Sequence, residues 1–307
     1  SYKNRVHLQD RVFSGLDNYL GVIGSGVDLV ILASTPGFRP QHLEAAVKAG
    51  KHIFTEKPVA VDAPGIRKVL ALVEESKKKG LAVGAGTQRR HQKSYQEVYK
   101  FIQDGGIGDV VGGRCSWNGS GIWFRKRADM EKRFGRKISE AEYQIANWYH
   151  FNWLCGDHIV EQHVHNLDVI NWYTGQHPTR AVGMGGRMGG TSSRPNGDPK
   201  DVGNIFDHFA IEFEFKPGFK VASYCRHYPG PGDVSEMVIG TKATILTDDK
   251  AYYQVLTPDG KKRDLYNAET EKMKDKNPYV QEHIDLIRSI KNGSPINELQ
   301  SVTESTF

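Results

Sequence analysis

The sequence predicts an α/β protein that begins with a doubly wound parallel sheet and continues as an α+β domain with an open, mostly antiparallel sheet. Three observations support this fold class. The chain has 307 residues, which suits about two domains better than one. Short apolar runs alternate with helical stretches in the first third, and strands with alternating polarity dominate afterwards. We place the boundary so that residues 1–107 and 108–307 form the two domains.

Three short apolar runs predict buried parallel strands in the first domain, at residues 28–33, 52–55 and 81–85. They are rich in β-branched side chains and do not alternate with polar ones, as expected for strands that are covered on both faces. Helices are predicted at residues 41–49, 63–79 and 91–104. The first two end at Gly50 and Gly80, where a left-handed C-cap belongs. Strands and helices in this order imply right-handed crossovers.

The second domain is predicted from alternating patterns. In residues 209–215 the apolar positions are two apart and share one face, whereas Glu212 and Glu214 lie on the other face. Strands are predicted at 110–117, 181–188, 205–215, 219–226, 237–239, 243–247 and 252–256, with a last helix at 279–291. An open sheet of this kind leaves one face to be covered or shared with a partner.

The composition excludes several classes of protein. Hydrophobic residues make up 38% and charged residues 25% of the chain, and the mean hydropathy is −0.53. No run approaches the roughly 18 apolar residues of a membrane span, so we expect no membrane partner. The 41 basic and 36 acidic residues give a net charge of only +5, which does not call for a nucleic-acid partner. Three scattered cysteines exclude a disulfide scaffold.

The tripeptide Glu56-Lys57-Pro58 follows the predicted strand at 52–55 directly. Ligands bind at the carboxyl ends of the strands in open α/β sheets. A lysine at this edge can orient a substrate oxygen or take part in proton transfer. A purely structural role for the tripeptide is the alternative.

A second candidate site lies in the tryptophan-rich part of the chain. On a single helix Glu161, His165, Asp168 and Trp172 share one face, and His158 joins them. The His165 imidazole could act as a general base, with a carboxylate orienting its ring. A solvated helix face is one alternative. Another is a metal site, but the H-E-x-x-H order is missing, so we predict no metal.

These segments together resemble the Gfo/Idh/MocA family, named after glucose-fructose oxidoreductase, inositol dehydrogenase and a rhizopine-catabolism protein. The resemblance rests on Thr35-Pro36 followed by His42, on the string A-G-K-H-I-F-T-E-K-P at residues 49–58, and on Glu161-x-x-x-His165-x-x-Asp168. It runs from about residue 28 to the last helix.

The resemblance implies a Rossmann domain followed by an α/β domain whose open sheet forms a homodimer or homotetramer. It implies NAD or NADP as cofactor. The reaction would be hydride transfer between this nicotinamide and a secondary carbinol of a small carbohydrate substrate: a sugar, a glycoside or a polyol.

The resemblance also implies roles for single residues. Lys57 would lie beside nicotinamide and substrate, and His165 would accept the hydroxyl proton. Glu161, the third predicted catalytic residue, is one methylene longer than the aspartate usual in the family. The predicted cofactor-binding residues are Thr35, Pro36, Glu56, Lys57 and Gln88. The predicted substrate-binding residues are Arg89, Arg90, Trp148 and Asp168. For either arginine, a solvated helix start is the alternative.

The glycine-rich turn that should precede the first visible strand is not in the sequence. Residues 21–26 have the wrong glycine spacing and come before a strand, not after one. We therefore expect the Rossmann domain to be N-terminally incomplete, with at least one βαβ unit of roughly 30 residues before it and residues 4–10 ending a later strand. Alternatively, the protein does not hold a pyrophosphate. The choice between NAD and NADP, and between cytoplasm and periplasm, stays open.

Two other functions are kept beside the dehydrogenase. The first is a glycosidase that retains its cofactor and oxidises, eliminates and reduces within one turnover. The second is a non-catalytic relative of the family.

Overall fold

The computed structural model describes residues 11–188, 203–248, 253–265 and 277–307. The expected strand end at 4–10 lies outside this part of the chain. The helices are α1 Asn18–Gly24, α2 Arg39–Lys48, α3 Ala63–Lys78, α4 Lys93–Gln103, α5 Arg127–Phe134, α6 Glu140–Ala146, α7 Asn152–Cys155, α8 His158–Glu161, α9 Val164–Thr174, α10 Pro278–Lys291 and α11 Leu299–Thr306. The strands are β1 Leu29–Leu32, β2 His52–Thr55, β3 Val83–Ala85, β4 Val110–Asn118, β5 Arg180–Gly186, β6 His208–Glu214, β7 Lys220–Arg226, β8 Asp233–Gly240, β9 Thr244–Asp248, β10 Tyr253–Leu256 and β11 Lys262–Asp264.

Strands β1, β2 and β3 form a parallel sheet in that order, which confirms the predicted parallel pairing. The right-handed sense of the connections stays a prediction. Helices α2 and α3 pack on one face of this sheet, where Val30 and Leu32 of β1 are buried. Ile31 of β1 is 62% exposed on the other face, so the prediction that the strands are covered on both faces is wrong for β1.

The Asp62 carboxylate caps α3 by accepting a 2.7 Å hydrogen bond from the Gly65 amide. Gly50 and Gly80 have φ values of +69° and +63°, so the predicted left-handed caps are confirmed.

The second sheet has eight strands in the order β11-β10-β9-β8-β4-β7-β6-β5. All neighbours are antiparallel except β4 and β7, which run parallel. This confirms the open, mostly antiparallel sheet. Helices α4 and α9 cover one face with a core that includes Tyr95, Val169 and Tyr173. Strand β8 is longer than the predicted 237–239, and β11 was not predicted.

The predicted single helix through Glu161, His165 and Asp168 is wrong. The segment forms two helices, α8 and α9, separated by residues 162–163. The chain bends there because the His163 ring is buried against the sheet, where its Nε2 lies 2.7 Å from Ser223 Oγ. The break changes which way Glu161 faces relative to His165.

The last two helices pack on the first sheet. Leu286 of α10 contacts Phe54 and Ala82, while Leu299 and Val302 of α11 join the core beneath β1–β3. The division at residues 107/108 stays a prediction, and the C-terminal helices share the core of the first sheet.

Residues 119–155 place a small helical cluster over the loop that follows β1. Phe38 of that loop belongs to the core of this cluster and meets Trp153 edge-on at 6.0 Å. The two segments touch so closely that a Cβ at Gly37 would lie 2.3 Å from the carbonyl oxygen of Trp153. The helical cluster therefore borders the carboxyl edge of the parallel sheet.

His91 ties this edge to the two C-terminal helices. Its Nδ1 lies 2.9 Å from Asp285 Oδ2, and its Nε2 lies 3.0 Å from Glu298 Oε1. Burial alone would lower the pKa of His91, but the hydrogen bonds and charges of Glu298 and Asp285 outweigh it and raise the pKa to about 9. The charged imidazole therefore stabilises the fold fully below its ordinary pKa, and this contribution is lost as pH rises through about 9.

We expect His91→Gln to lower the free energy of unfolding by on the order of 2 kcal/mol at pH 6 and by much less at pH 9.5. Thermal or urea unfolding at both pH values measures the difference. The exposed His177→Gln is the matched control and should change neither value. An equal loss at both pH values would show that the charge of His91 does not contribute.

Candidate active site

The predicted catalytic residues meet where the carboxyl ends of β1–β3 face helices α8 and α9. Lys57 comes from the loop after β2, and Glu161 ends α8. The Lys57 ammonium donates to the backbone oxygen of Glu161 and lies 3.3 Å from its Oε1 atom. The two side chains are 9% and 7% exposed, so this ion pair is almost withdrawn from water.

Opposing effects act on the pKa of the Glu161 carboxyl. Burial raises its pKa, while the charges of Lys57 and Arg39 act to lower it. The Oε2 atom of Glu161 is buried without a hydrogen-bond partner among the described residues. A buried oxygen of this kind can accept a hydrogen bond from a ligand hydroxyl.

His165 lies one helical turn further along the chain, in α9. Its ring stacks on Trp117 of β4 with 5.7 Å between centroids and an interplanar angle of 27°. Burial, followed by the charges of Lys57 and Arg89, holds the pKa of His165 well below its usual value. Within the described part of the chain the ring makes no hydrogen bond. A neutral imidazole with a free nitrogen is suited to accept a proton.

The geometry differs from the predicted pairing of Glu161 with His165. The carboxylate contacts Lys57 instead of the imidazole ring, because the break after α8 redirects it. Asp168, on the same helix as His165, also pairs elsewhere: its carboxylate accepts hydrogen bonds of 2.9 and 2.8 Å from Arg90 and one of 2.7 Å from Ser305. No carboxylate of the described residues therefore orients the His165 ring.

Arg39 is a site residue that the sequence analysis missed. Its guanidinium is buried and donates to the backbone oxygens of Ser34 and Pro58, which joins the loops after β1 and β2. Burial lowers its pKa to about 10 against the charges of Glu161 and Glu56. The signal in the sequence was an arginine directly after the turn that ends a buried strand.

The predicted cofactor residues lie along the same edge. The Oγ1 atom of Thr35 and the Oε1 atom of Gln88 are buried without partners among the described residues, while Gln88 Nε2 donates to the Tyr279 hydroxyl at 3.3 Å. Pro36 is buried. The Glu56 side chain packs against Gly86 at the same edge, so closely that a Cβ at Gly86 would lie 2.3 Å from Glu56 Oε2.

These groups fit the nicotinamide end of a dinucleotide. Two unpartnered polar atoms beside a lysine can hydrogen-bond a carboxamide on a flat ring. The residues that fit are Thr35, Gln88 and Lys57. The described residues include no glycine-rich turn for a pyrophosphate.

The predicted substrate residues contact other parts of the protein. Arg90 pairs with Asp168, as described above. Arg89 is 4% exposed and donates to Glu236 of β8. Trp148 is half-buried and packs against Trp123 and Tyr149, with 6.1 and 5.4 Å between ring centroids. Their role towards a substrate stays a prediction.

The three residues weighed as metal ligands do not converge. The His158 Nδ1 atom lies 3.1 Å from the Tyr149 hydroxyl, and its ring stacks on His227 at 4.7 Å, whereas Glu161 turns to Lys57. Across the four described ranges, no group of three or more His, Cys, Asp or Glu side chains could hold a metal ion. In the same ranges no helix is both long and apolar enough to cross a membrane.

A cavity of about 440 Å³ lies beside α9, between β5–β7 and the end of α11. Its lining is mainly apolar and includes Leu167, Phe213 and Phe307. Lys57, Glu161 and His165 do not line it, so it is separate from the candidate active site.

Comparison with known proteins agrees with this architecture. Residues 4–85 match the family model GFO_IDH_MocA, described as an oxidoreductase family with an NAD-binding Rossmann fold. This match covers about the first quarter of the chain and confirms the predicted Rossmann fold there. The family that the model describes binds NAD, which agrees with the predicted nicotinamide cofactor.

Similar proteins include inositol 2-dehydrogenase 3 of Saccharopolyspora erythraea, 28% identical over 47% of this chain and 40% of that protein. The 2,7-anhydro-N-acetylneuraminate hydratase of Escherichia coli is 28% identical over 62% of this chain and 44% of its own length. The chain thus spans less than half the length of these relatives.

A crystal structure of scyllo-inositol dehydrogenase from Lactobacillus casei with bound NAD(H) and scyllo-inositol shares the fold. It superposes with a TM-score of 0.64 at 20% identity and covers 96% of this chain and 79% of that one.

The buried Lys57–Glu161 pair generates a prediction that needs no substrate. Lys57→Met leaves the Glu161 charge buried and uncompensated, which costs about 3–5 kcal/mol. Since protonation relieves this cost, the loss of stability should be large at pH 8 and much smaller at pH 5. Thermal unfolding across this pH range measures it. The double variant Lys57→Met, Glu161→Gln is the control and should lose the pH dependence, and a pH-independent loss in the single variant would contradict the pairing.

Proposed function

We propose that this protein is an NAD(P)-dependent oxidoreductase that transfers a hydride between a nicotinamide and a secondary carbinol of a polyol, sugar or glycoside. The observation that carries the proposal is the neutral imidazole of His165, which has no hydrogen-bond partner among the described residues and lies next to the buried Lys57–Glu161 pair at the carboxyl edge of the Rossmann sheet. Relatives named inositol 2-dehydrogenase support a substrate with several hydroxyls.

Each residue has a chemical part in this reaction. A bound nicotinamide supplies the hydride acceptor, and Thr35, Gln88 and Lys57 are the residues that would hold it. The free nitrogen of His165 takes the proton of the carbinol hydroxyl as the carbonyl forms. The Lys57 ammonium faces the same oxygen and stabilises the negative charge that develops there.

Glu161 has two functions. Its Oε1 atom holds the Lys57 ammonium in place, and its unpartnered Oε2 atom accepts a hydrogen bond from a neighbouring hydroxyl of the substrate. A polyol offers such a neighbouring hydroxyl, whereas a simple secondary alcohol does not. The arrangement thus selects vicinal diols.

The charges around the site favour an uncharged substrate. Three of its four cationic side chains pair with a carboxylate: Lys57–Glu161, Arg89–Glu236 and Arg90–Asp168. The fourth, Arg39, donates to the backbone oxygens of Ser34 and Pro58. An anionic substrate would have to compete for one of these buried pairs, which is costly. Neutral inositols and sugars avoid that competition.

We expect the full-length protein to reduce NAD or NADP with inositols or aldoses, measured as absorbance at 340 nm. His165→Asn and Lys57→Met should each lower kcat/KM by roughly 10²- to 10⁴-fold, because each removes a group that acts on the reacting oxygen. His177→Asn, at an exposed position, is the matched control. Unchanged activity in both site variants would refute the proposal.

A second function is favoured by one comparison. Between the two curated relatives described above, the hydratase is similar over the larger share of this chain, 62% against 47%. A cofactor-retaining enzyme of this kind, glycosidase or hydratase, would release product without net formation of NADH. The same assay with a glycoside or anhydro sugar, followed by product analysis, separates the two. A full-length protein that binds no dinucleotide would instead be a non-catalytic relative.

We also propose that the protein is a homodimer or homotetramer that pairs through the open face of the eight-stranded sheet. In the isolated chain this face exposes Val182, Met184 and Tyr224 at 72%, 78% and 45%. Side chains of this kind are rarely left exposed together in a monomer.

Met184→Lys places a charge on the exposed apolar part of that face, on the edge strand β5, and should lower the molar mass measured by light scattering. Leu70→Lys is the control, because Leu70 is an exposed apolar residue on α3. A wild-type protein with the molar mass of one chain would contradict the proposed assembly.

A further inference from the structure

Residues of two different elements lie behind the imidazole ring of His165. The His165 ring stacks on Trp117 of β4 at 5.7 Å. The same Trp117 ring lies 5.8 Å from the guanidinium carbon of Arg89, in the turn that follows β3. Trp117 thus contacts both the imidazole and a buried cation.

Arg89 is itself held in place. It is 5% exposed at its side chain and pairs with Glu236 of β8, which is 1% exposed. Its guanidinium carbon also lies 5.6 Å from the ring of Tyr95 in α4. An arginine with a carboxylate partner and two aromatic neighbours has little rotational freedom.

Glu236 extends this network to the helix that carries His165. Its Oε1 atom accepts a 2.7 Å hydrogen bond from Asn166 Nδ2, and Asn166 is the next residue after His165. Its Oε2 atom accepts hydrogen bonds from Thr247 and from the Tyr95 hydroxyl. The Glu236 carboxylate therefore holds the residue next to His165 directly and, through Arg89, the Trp117 ring on which the imidazole stacks.

We propose that Trp117 is a positioning residue for His165, and that the buried Arg89–Glu236 pair holds Trp117 and α9 in the arrangement that presents the imidazole to the substrate. The network replaces the carboxylate that the sequence analysis expected to orient this ring. The catalytic meaning rests on the proposed function, whereas the placement of the ring does not.

Two physical effects follow from this arrangement. A stacked indole restricts rotation of the imidazole about its terminal torsion, which is otherwise broad. It also excludes water from one face of the ring. The charged groups that face His165 are Lys57 from the loop after β2 and Arg89 from the turn after β3, with Glu161 and Glu236 as their partners. Burial and the two cations keep the imidazole neutral.

The arrangement is more than ordinary core packing. A buried ion pair is seldom more stabilising than an apolar pair of the same volume. Arg89 and Glu236 therefore contribute little that apolar side chains could not, except a fixed geometry. That fixed geometry includes the position of the His165 ring.

The test follows the protonation of His165 by NMR in the full-length protein without cofactor or substrate, with His165→Asn to assign the signal. In the wild type the ring should stay neutral well below the pH at which an exposed histidine titrates. Trp117→Leu opens the ring to water and should move its titration upward by about one pH unit or more. Trp117→Phe keeps a stacked ring and should restore the wild-type behaviour.

Two further variants keep the test decisive if Trp117→Leu does not fold. The double variant Arg89→Gln, Glu236→Gln removes both charges without leaving one unpaired, and it should also move the titration upward. Trp153→Leu changes a half-exposed tryptophan outside the network and should leave it unchanged. An identical His165 titration in the wild type, Trp117→Leu and the double variant would overturn the proposal.

The rate measurement separates this inference from the proposed function. With an active substrate, Trp117→Leu should lower kcat about tenfold and change KM less than twofold, and Trp117→Phe should recover the rate. A wild type without dehydrogenase activity whose Trp117→Leu variant still shifts the titration would refute the function and keep the placement. An active wild type with no change in rate or titration in Trp117→Leu would refute the placement alone.

Discussion

Three ion pairs connect the first sheet to the second part of the chain, and the candidate site depends on them. Lys57 pairs with Glu161, Arg89 with Glu236, and Arg90 with Asp168. Each cation comes from the strand ends of the first sheet, and each carboxylate comes from the second part of the chain. Removing one partner of such a pair leaves a buried, uncompensated charge, so the pairs admit few relative placements of the two sheets.

These ion pairs also explain why the imidazole of His165 has cations beside it but no orienting carboxylate from the described ranges. The cations that the first sheet contributes, Lys57 and Arg89, both face His165 and disfavour its charged form. The carboxylates that compensate them are occupied by those cations and do not orient the imidazole. The ring is instead placed by stacking on Trp117. One set of contacts thereby joins the two sheets, keeps the imidazole neutral and leaves it without a hydrogen-bond partner among the described residues.

The C-terminal helices complete the edge on which this site lies. Helices α10 and α11 pack on the first sheet, and His91 joins them to the turn after β3 through Asp285 and Glu298. Gln88 reaches Tyr279 of α10 by a hydrogen bond. The last segment of the chain thus supports the predicted nicotinamide side of the site, although sequence reasoning assigned it to the second domain.

Local pattern determined much of this protein in advance. The parallel strands, their glycine caps and the alternating strands of the second sheet followed from the sequence, because neighbouring residues determine which faces are buried and where turns form. Lys57, Glu161 and His165 were chosen from short motifs and from the family resemblance, and their catalytic roles stay a prediction. Only the tertiary structure decided which charges meet. Glu161 and His165 are four residues apart, yet Glu161 binds Lys57 from 104 positions away, and Arg39 and Trp117 gain their roles only from distant partners. Ion pairs and ring stacking act through space, and one sequence records no distances between segments.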